Sequence, residues 1–423
     1  MSKFLSIAVM CSLAFPAMAL AQDDMEAMVE EEVETVEVVE PVEEPPTVPA
    51  IEEVPPPKVA ADMVEADPEE EGKLIDGLSW MAMASAFYRI GGYAGSGVLA
   101  GPYNNLLGFD PDGNPQGYPY TSYNGFGLNF VGGMVSYTGE KFGVTVDLRW
   151  GTGAQFLTPL VPVKQGYVTW LPSDRISIDI GFFDTIFGAE VADEWENANY
   201  TRGALYFLRQ PFNHMGARMG VELTDSLGFT LMLTNGGVFG GSPIDNNETP
   251  TIGWQFAIAP ADAFGLYIGG NHGASGDNDN RSWENFFDWV MSIGAGPFTL
   301  LLNGDYTTSP IAGETAFLYG HSGAIILDAT DKFSIGLRGE HLSGNSEYRD
   351  NFGDPYGYLA TGTITLRYKP VEYLVISLEG RGEWTSRDIY FERGGPVDPD
   401  GLPVPSQSKN YAVILGFSSF IGN

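Results

Sequence analysis

The chain has 423 residues, 55 acidic and 21 basic residues, a net charge of −34 and a single cysteine, Cys11. Such an acidic chain excludes the class of proteins that bind nucleic acid through a basic surface. One cysteine excludes a disulfide scaffold and sites built from several thiols. No run of eighteen apolar residues follows the N-terminal segment, which argues against membrane-spanning helices.

Residues 1–21 have the pattern of a secretory signal peptide. Lys3 supplies the positive start, residues 4–15 the apolar stretch, and residues 19–21 an Ala-Leu-Ala cleavage site. A membrane anchor would need a longer apolar segment, and two aspartates follow instead. We therefore expect the chain to be exported and Cys11 to be removed with the signal.

Residues 22–72 differ in composition from the rest of the chain. They hold 19 acidic residues against one basic residue, Lys58, together with two clusters of proline. Charge repulsion and proline stiffness oppose a packed core, so we expect a disordered, acidic, Pro-rich periplasmic arm. The arm is either a solvated spacer or a tether that contacts the cell wall or a partner protein.

Residues 73–423 repeat a segment of about ten residues that alternates apolar and polar side chains and then turns. In Phe142–Trp150 the apolar residues occupy every second position, with Thr145, Asp147 and Arg149 between them. Alternation of this kind predicts strands with one apolar and one polar face. The predicted strands are 78–90, 125–138, 142–151, 164–171, 175–185, 212–223, 227–236, 251–259, 263–272, 283–293, 297–307, 316–328, 332–343, 357–369, 373–385 and 410–421.

The connections between these strands alternate between short turns and longer polar stretches such as 186–211 and 273–282. A β-sandwich has no reason to lengthen every second connection, whereas a barrel in the outer membrane has short periplasmic turns and long outer loops. Several tryptophans fall on the apolar face near strand ends, where an interfacial girdle would lie. The pattern predicts an all-β, transmembrane, antiparallel up-and-down β-barrel of about sixteen strands.

The second face of each predicted strand carries charges of both signs. A polar face around sixteen strands encloses a space too wide to fill with side chains, so we expect a water-filled pore. The alternative role of these charges is a ladder of cross-strand ion pairs, which is compatible with a pore. The predicted pore-lining residues of the strands are Asp147, Arg149, Arg218, Glu222, Arg338, Arg367, Glu379 and Arg381.

The third long connection, 186–211, combines charged side chains with an unusual density of aromatic residues. Folded into the barrel, it would place carboxylates and guanidinium groups at the narrowest point, where charge decides which solutes pass. The alternative is an ordinary exposed loop. The predicted constriction residues are Glu190, Asp193, Glu194, Glu196, Arg202 and Arg209.

Four short motifs within 181–236 resemble the β-barrel porin family of OmpL-like outer-membrane proteins. The resemblance implies a passive channel for small hydrophilic solutes, with no assigned solute. The chain departs from most outer-membrane barrels because it ends in Phe420-Ile421-Gly422-Asn423 rather than on an aromatic residue. The motifs are Gly181-Phe182-Phe183-Asp184, Gly188-Ala189-Glu190, Asn199-Tyr200-Thr201-Arg202 and the run from Gln210 to Arg218.

Signals for catalysis or metal binding are weak. The four histidines share no compact motif with serine and aspartate, and no phosphate loop or zinc motif occurs. The segment 110–114 supplies alternating oxygen ligands, but a proline stands where a calcium loop needs glycine. We therefore expect no enzyme activity, no cofactor and no metal site.

Together these features predict a bacterial outer-membrane porin for passive diffusion of small hydrophilic solutes or ions, mildly selective for cations. Two alternatives stay open: a solute-specific channel with a binding site, and a structural anchor tethered through the acidic arm. The expected partners are outer-membrane lipid, the barrel-assembly machinery, further copies in a homotrimer, and the cell wall through the arm. Nucleic acid is not expected.

Overall fold

The computed structural model describes residues 76–91, 125–151, 153–245, 247–276, 279–311, 314–345, 357–388, 390, 395–397, 399, 404 and 406–422. The predicted signal peptide, the acidic arm and the segment 110–114 lie outside these residues. Within them, no helix is long and apolar enough to cross a membrane.

Sixteen antiparallel strands form one closed barrel in which each strand pairs with its neighbours in chain order. The first strand also pairs with the last, so the sheet has no free edge. The predicted fold is therefore confirmed. The strands are β1 Leu78–Gly91, β2 Gly125–Thr138, β3 Phe142–Trp150, β4 Val163–Ser173, β5 Ile176–Asp184, β6 Asn213–Thr224, β7 Leu227–Thr234, β8 Thr251–Ala261, β9 Phe264–Gly276, β10 Asp279–Ala295, β11 Phe298–Ile311, β12 Glu314–Thr330, β13 Phe333–Gly344, β14 Tyr358–Val371, β15 Leu374–Thr385 and β16 Lys409–Gly422.

In the described part of the chain, two short helices lie in connections: α1, Ala154–Leu157, between β3 and β4, and α2, Ala204–Arg209, between β5 and β6. The connections at one end of the barrel are tight turns, as predicted. At the other end, the β9–β10 connection is only 277–278, whereas the sequence suggested the longer loop 273–282. The reason is that β10 pairs with β9 again where Asp279 lies opposite Gly276, beyond a register shift between Asp279 and Trp283, and so reaches 17 residues.

The two faces of the strands follow the predicted alternation. On β3 the side chains of Val146 and Trp150 are 41% and 49% exposed, whereas Asp147 and Arg149 are 1% exposed. Large exposed apolar side chains recur on the same outward register of the other strands. The outward face is thus apolar, as contact with lipid requires, and most of the charge lies inside.

A lysine on the lipid face is expected to destabilise the barrel more than a lysine beside it on the inner face. Val146→Lys places an ammonium group in the apolar band and should lower the free energy of unfolding by about 2–4 kcal/mol. Thr145→Lys, half-buried on the inner face, should lower it by less than half as much. Denaturant unfolding in lipid vesicles measures both values, and equal losses would contradict the assigned faces.

Candidate functional site

The segment 185–212 connects β5 to β6 and lies inside the barrel. Its helix α2 is buried along its whole length. Its backbone hydrogen-bonds to inward-facing side chains of β13 and β15, which stand across the barrel from β5. The segment therefore crosses the lumen instead of extending outward.

Glu340 on β13 binds the start of α2. Its two carboxylate oxygens accept the backbone N–H groups of Ala204 and Leu205, each at 3.0 Å. The hydroxyl of Thr361 donates to the same carboxylate at 2.5 Å. The first N–H groups of a helix have no partner within the helix, so Glu340 satisfies donors that would otherwise be buried alone.

Glu379 on β15 binds the stretch that precedes the helix. It accepts the backbone N–H groups of Tyr200 at 2.8 Å and of Thr201 at 3.1 Å. It also accepts the hydroxyls of Thr201 and of Thr365, the latter at 2.8 Å. Glu379 is fully buried, and these four donors replace the water that a buried carboxylate loses.

Arginines of the wall bind the carbonyl groups of the same segment. Arg338 on β13 donates to the carbonyl of Thr201 at 2.7 Å, and Arg381 on β15 donates to that of Arg202 at 2.9 Å. Arg367 on β14 donates to two further carbonyls, those of Trp195 and Asn197. The wall thus binds both the N–H and the C=O groups of the loop backbone, and these bonds do not depend on the side chains of the loop.

A chain of alternating charges joins the loop to β3, β4 and the end of β5. It runs Asp184, Lys164, Asp147, Arg149, Asp193, with Arg149 at 2.7 Å from both of its aspartates and Lys164 at 3.6 Å from Asp147. Burial acts to raise the pKa of Asp193, but Arg149, Lys164 and Arg202 together outweigh it and hold that pKa below its usual range. Every charge in this chain has an opposite neighbour.

Two glutamates of the loop are also buried beside arginines. Glu190 pairs with Arg338, and the backbone N–H of Gly203 donates to it at 2.6 Å. Burial raises the pKa of Glu190, although Arg338 acts in the opposite direction. Glu194 lies 3.6 Å from Arg202, and burial raises its pKa to about 7. The charge of Glu194 therefore changes near neutral pH.

One side of the lumen is an apolar core and not a water-filled space. The inward faces of β1 and β2 carry Met83, Phe87 and Phe130, which pack with buried aromatic and aliphatic residues of the loop. Trp195 stacks on Phe420 of β16 with ring centroids 5.0 Å apart. Phe420 therefore faces the interior and not the lipid.

A carboxyl pair lies near the root of the loop. Asp288 on β10 and Asp305 on β11 are register partners and are at most 2% exposed. Asn303 donates to Asp288 at 2.8 Å and to Asp305 at 3.2 Å. Within the described residues, neither carboxyl forms an ion pair, which distinguishes them from Asp147.

The open part of the lumen lies between the loop and the wall formed by β11, β12 and β13. A cavity of about 330 Å³ is bounded there by loop residues 189–191 and 196–198 and by strand residues that include Leu301, Ser322 and Arg338. A second cavity shares Leu301 and continues along the loop toward β8 and β9. Residues 227–330, which form β7 to β12, contain ten acidic residues and one basic residue, Arg281.

The predicted site residues divide into two groups. The buried network under the loop includes Asp147, Arg149, Glu190, Asp193, Glu194, Arg202, Arg338, Arg367, Glu379 and Arg381. The other four predicted residues lie outside this network. Arg218 pairs with Asp179 on the wall at 2.7 Å, and Arg209 is the last residue of α2, beside Gly320. Glu196 and Glu222 are exposed. Most of the predicted pore charges are therefore covered by the loop and do not face open water.

Sequence reasoning missed several members of the site. Lys164 shares an alternation register with the outward-facing Trp170, but a β-bulge opposite Asp147 lets its ammonium group reach the inner ion pairs. Ser85 donates to Glu194 at 3.1 Å, and Gln210 donates to Asn303 at 2.6 Å. No motif marks Lys164 or Ser85, and the motif that begins at Gln210 does not indicate its partner. In the described ranges, no group of three or more His, Cys, Asp and Glu side chains is arranged to hold a metal ion.

Comparison with known proteins agrees with this architecture. Residues 93–408, well over half of the chain, match the family model described as "Putative beta-barrel porin-2, OmpL-like". The chain belongs to this family of OmpL-like porins. Family and fold together indicate an outer-membrane channel. No curated protein is significantly similar to the sequence.

Solved structures share the fold at low sequence identity. The outer-membrane channel DcaP of Acinetobacter baumannii aligns with 9% identity and a TM-score of 0.53 over 81% of this chain and 96% of its own. The trimer form of OmpT of Vibrio cholerae aligns with 11% identity and a TM-score of 0.51 over 81% of this chain and 99% of its own. The anion-selective porin of Comamonas acidovorans aligns with 10% identity and a TM-score of 0.50 over 81% of this chain and 99% of its own. At these identities the likeness shows the fold alone.

The buried carboxyl of Glu194 should make stability depend on pH. The pKa of Glu194 is about 7 in the folded protein, against an ordinary value of 4.5. The protonated carboxyl therefore contributes its full stabilisation below about pH 4.5, and this contribution is lost as the pH rises through 7. The denaturant midpoint of the wild type relative to Glu194→Gln should therefore fall between pH 5 and pH 8. Glu196→Gln, at an exposed position, should not alter the pH dependence, and parallel curves for wild type and Glu194→Gln would contradict the assignment.

Isosteric amides should have opposite effects at the two kinds of buried aspartate. Asp305→Asn removes one of two buried carboxyl groups that are register partners and should raise the free energy of unfolding by about 1–2 kcal/mol. Asp147→Asn leaves Lys164 and Arg149 short of a counter-charge and should lower it by about 3 kcal/mol. Denaturant unfolding at neutral pH measures both, and a loss of stability in Asp305→Asn would contradict the reading of the pair.

Proposed function

We propose that this porin is a diffusion channel that passes small hydrophilic solutes and favours cations. The loop 185–212 narrows the lumen, and solutes pass between its residues 189–198 and the wall of β8 to β13. The observation that carries the proposal is the scarcity of basic residues in β7 to β12, since Arg281 is the single one between residues 227 and 330. Passage of this kind is passive and needs no catalytic residue.

Charge in the narrowed region supports the cation preference. The loop brings the exposed carboxylate of Glu196 to the cavity, together with Glu190, whose charge is balanced by Arg338. The facing wall offers Leu301, Ser322 and neighbouring neutral side chains and supplies no further positive charge of its own. The carboxylate of Glu196 at the cavity repels an anion and attracts a cation.

We further propose a homotrimer in the outer membrane. The support is the fold shared with OmpT of Vibrio cholerae, whose structure is described as a trimer form. Lipid would contact the outward apolar face, and the barrel-assembly machinery would insert the chain after export by its signal peptide. Residues 22–72 would then form a periplasmic arm, as a spacer or as a contact with the cell wall.

The selectivity can be measured in planar bilayers under a salt gradient. The wild type should give a reversal potential of the cation-selective sign. Ser322→Arg adds a positive charge to the cavity wall and should shift that potential toward the anion-selective sign. Ser322→Gln adds a side chain of comparable length without charge, so it should change conductance without changing the sign.

Two results would overturn the proposal. An anion-selective reversal potential of the wild type would refute the cation preference. Saturable block of the current by one solute at low concentration would show a solute-specific channel instead of a diffusion pore.

A further inference from the structure

The barrel closes where the first strand meets the last. Strand β1 pairs with β16 over the register from Met81–Gly422 to Gly91–Ala412. This pairing joins residues more than 300 positions apart, while every other pairing joins consecutive strands. Its formation therefore carries the largest loss of chain entropy of any strand pair in the sheet.

The loop residues 194–201 lie across the inside of this seam and bind β1 on one side of it. The hydroxyl of Tyr200 lies 3.0 Å from Oγ of Ser85 and donates to the carbonyl of Ala86 at 3.1 Å. Ser85 in turn donates to Glu194 at 3.1 Å. The side chains of Tyr200, Ser85 and Glu194 are all buried.

The same residues bind the strands on the other side of the seam. The backbone N–H of Tyr200 donates to Glu379 on β15 at 2.8 Å. The ring of Tyr200 covers Gly416 on β16 so closely that a Cβ at that glycine would lie 2.4 Å from ring atoms. Trp195 stacks on Phe420, also on β16.

We propose that residues 194–201 form a clamp that holds the closing seam of the barrel. Tyr200 is its centre, because this one residue contacts β1, β15 and β16. The contacts can form only when both ends of the sheet are in place, so docking of the loop and closure of the barrel stabilise each other. The clamp is a role of the loop additional to narrowing the lumen.

The inference can be tested by restoring the seam covalently. Samples heated to a series of temperatures before gel electrophoresis give the temperature at which the barrel loses its compact form. Tyr200→Ala should lower that temperature, and Tyr200→Phe, which keeps the ring over Gly416, should lower it less. In a Cys11→Ser background no other thiol is present. A disulfide between Ala84→Cys and Ser419→Cys, which are register partners across the seam, should then recover at least half of the loss caused by Tyr200→Ala.

A remote disulfide provides the matched control. Gly228 and Ala257 are register partners on β7 and β8, and a Cβ at Gly228 would lie 3.6 Å from that of Ala257, suitable for a disulfide. Gly228→Cys with Ala257→Cys should recover little of the loss. Equal recovery by both disulfides would overturn the clamp, as would an unchanged temperature in Tyr200→Ala. Conductance is not a readout here, so the result is independent of the proposed selectivity.

Discussion

The interior of this barrel depends on buried charges of the wall that bind the main chain of a loop. Glu340 and Glu379 accept N–H groups, while Arg338, Arg367 and Arg381 donate to carbonyl groups. A loop taken out of water must have its polar groups satisfied, and one without regular structure cannot do so internally. Side chains of the wall replace both the water and the missing secondary structure.

The location of charge in the lumen follows from this arrangement. Carboxylates and guanidinium groups that bind the loop are enclosed by it, and ion pairs neutralise most of them. The wall on the far side binds the loop through neutral side chains: Asn303 accepts the backbone N–H of Ala189, and Gln255 donates to the carbonyl of Ile186. The inner surface thus has one part in which buried charges hold the loop, and another in which neutral side chains such as Leu301 and Ser322 bound the cavity.

The sequence predicted the barrel well because a strand side chain can point in only two directions, into the barrel or out of it. Apolar and polar residues therefore alternate visibly in segments such as Phe142–Trp150. The sequence predicted poorly how the interior is filled. Lys164 departs from its expected register at a bulge, and the inner face of β1 carries the apolar side chains of Met83 and Phe87. Contacts such as that of Tyr200 with Glu379 join residues 179 positions apart, and no local pattern encodes them.

The density of contacts around the loop has a consequence for how permeability could change. Displacing it would leave several main-chain groups and their buried acidic and basic partners unsatisfied at once, and each such group is costly. Small stimuli cannot supply that much free energy. In the proposed channel, the opening beside the loop would therefore act as a fixed sieve and not as a valve, with a cut-off in size and charge that is set when the chain folds.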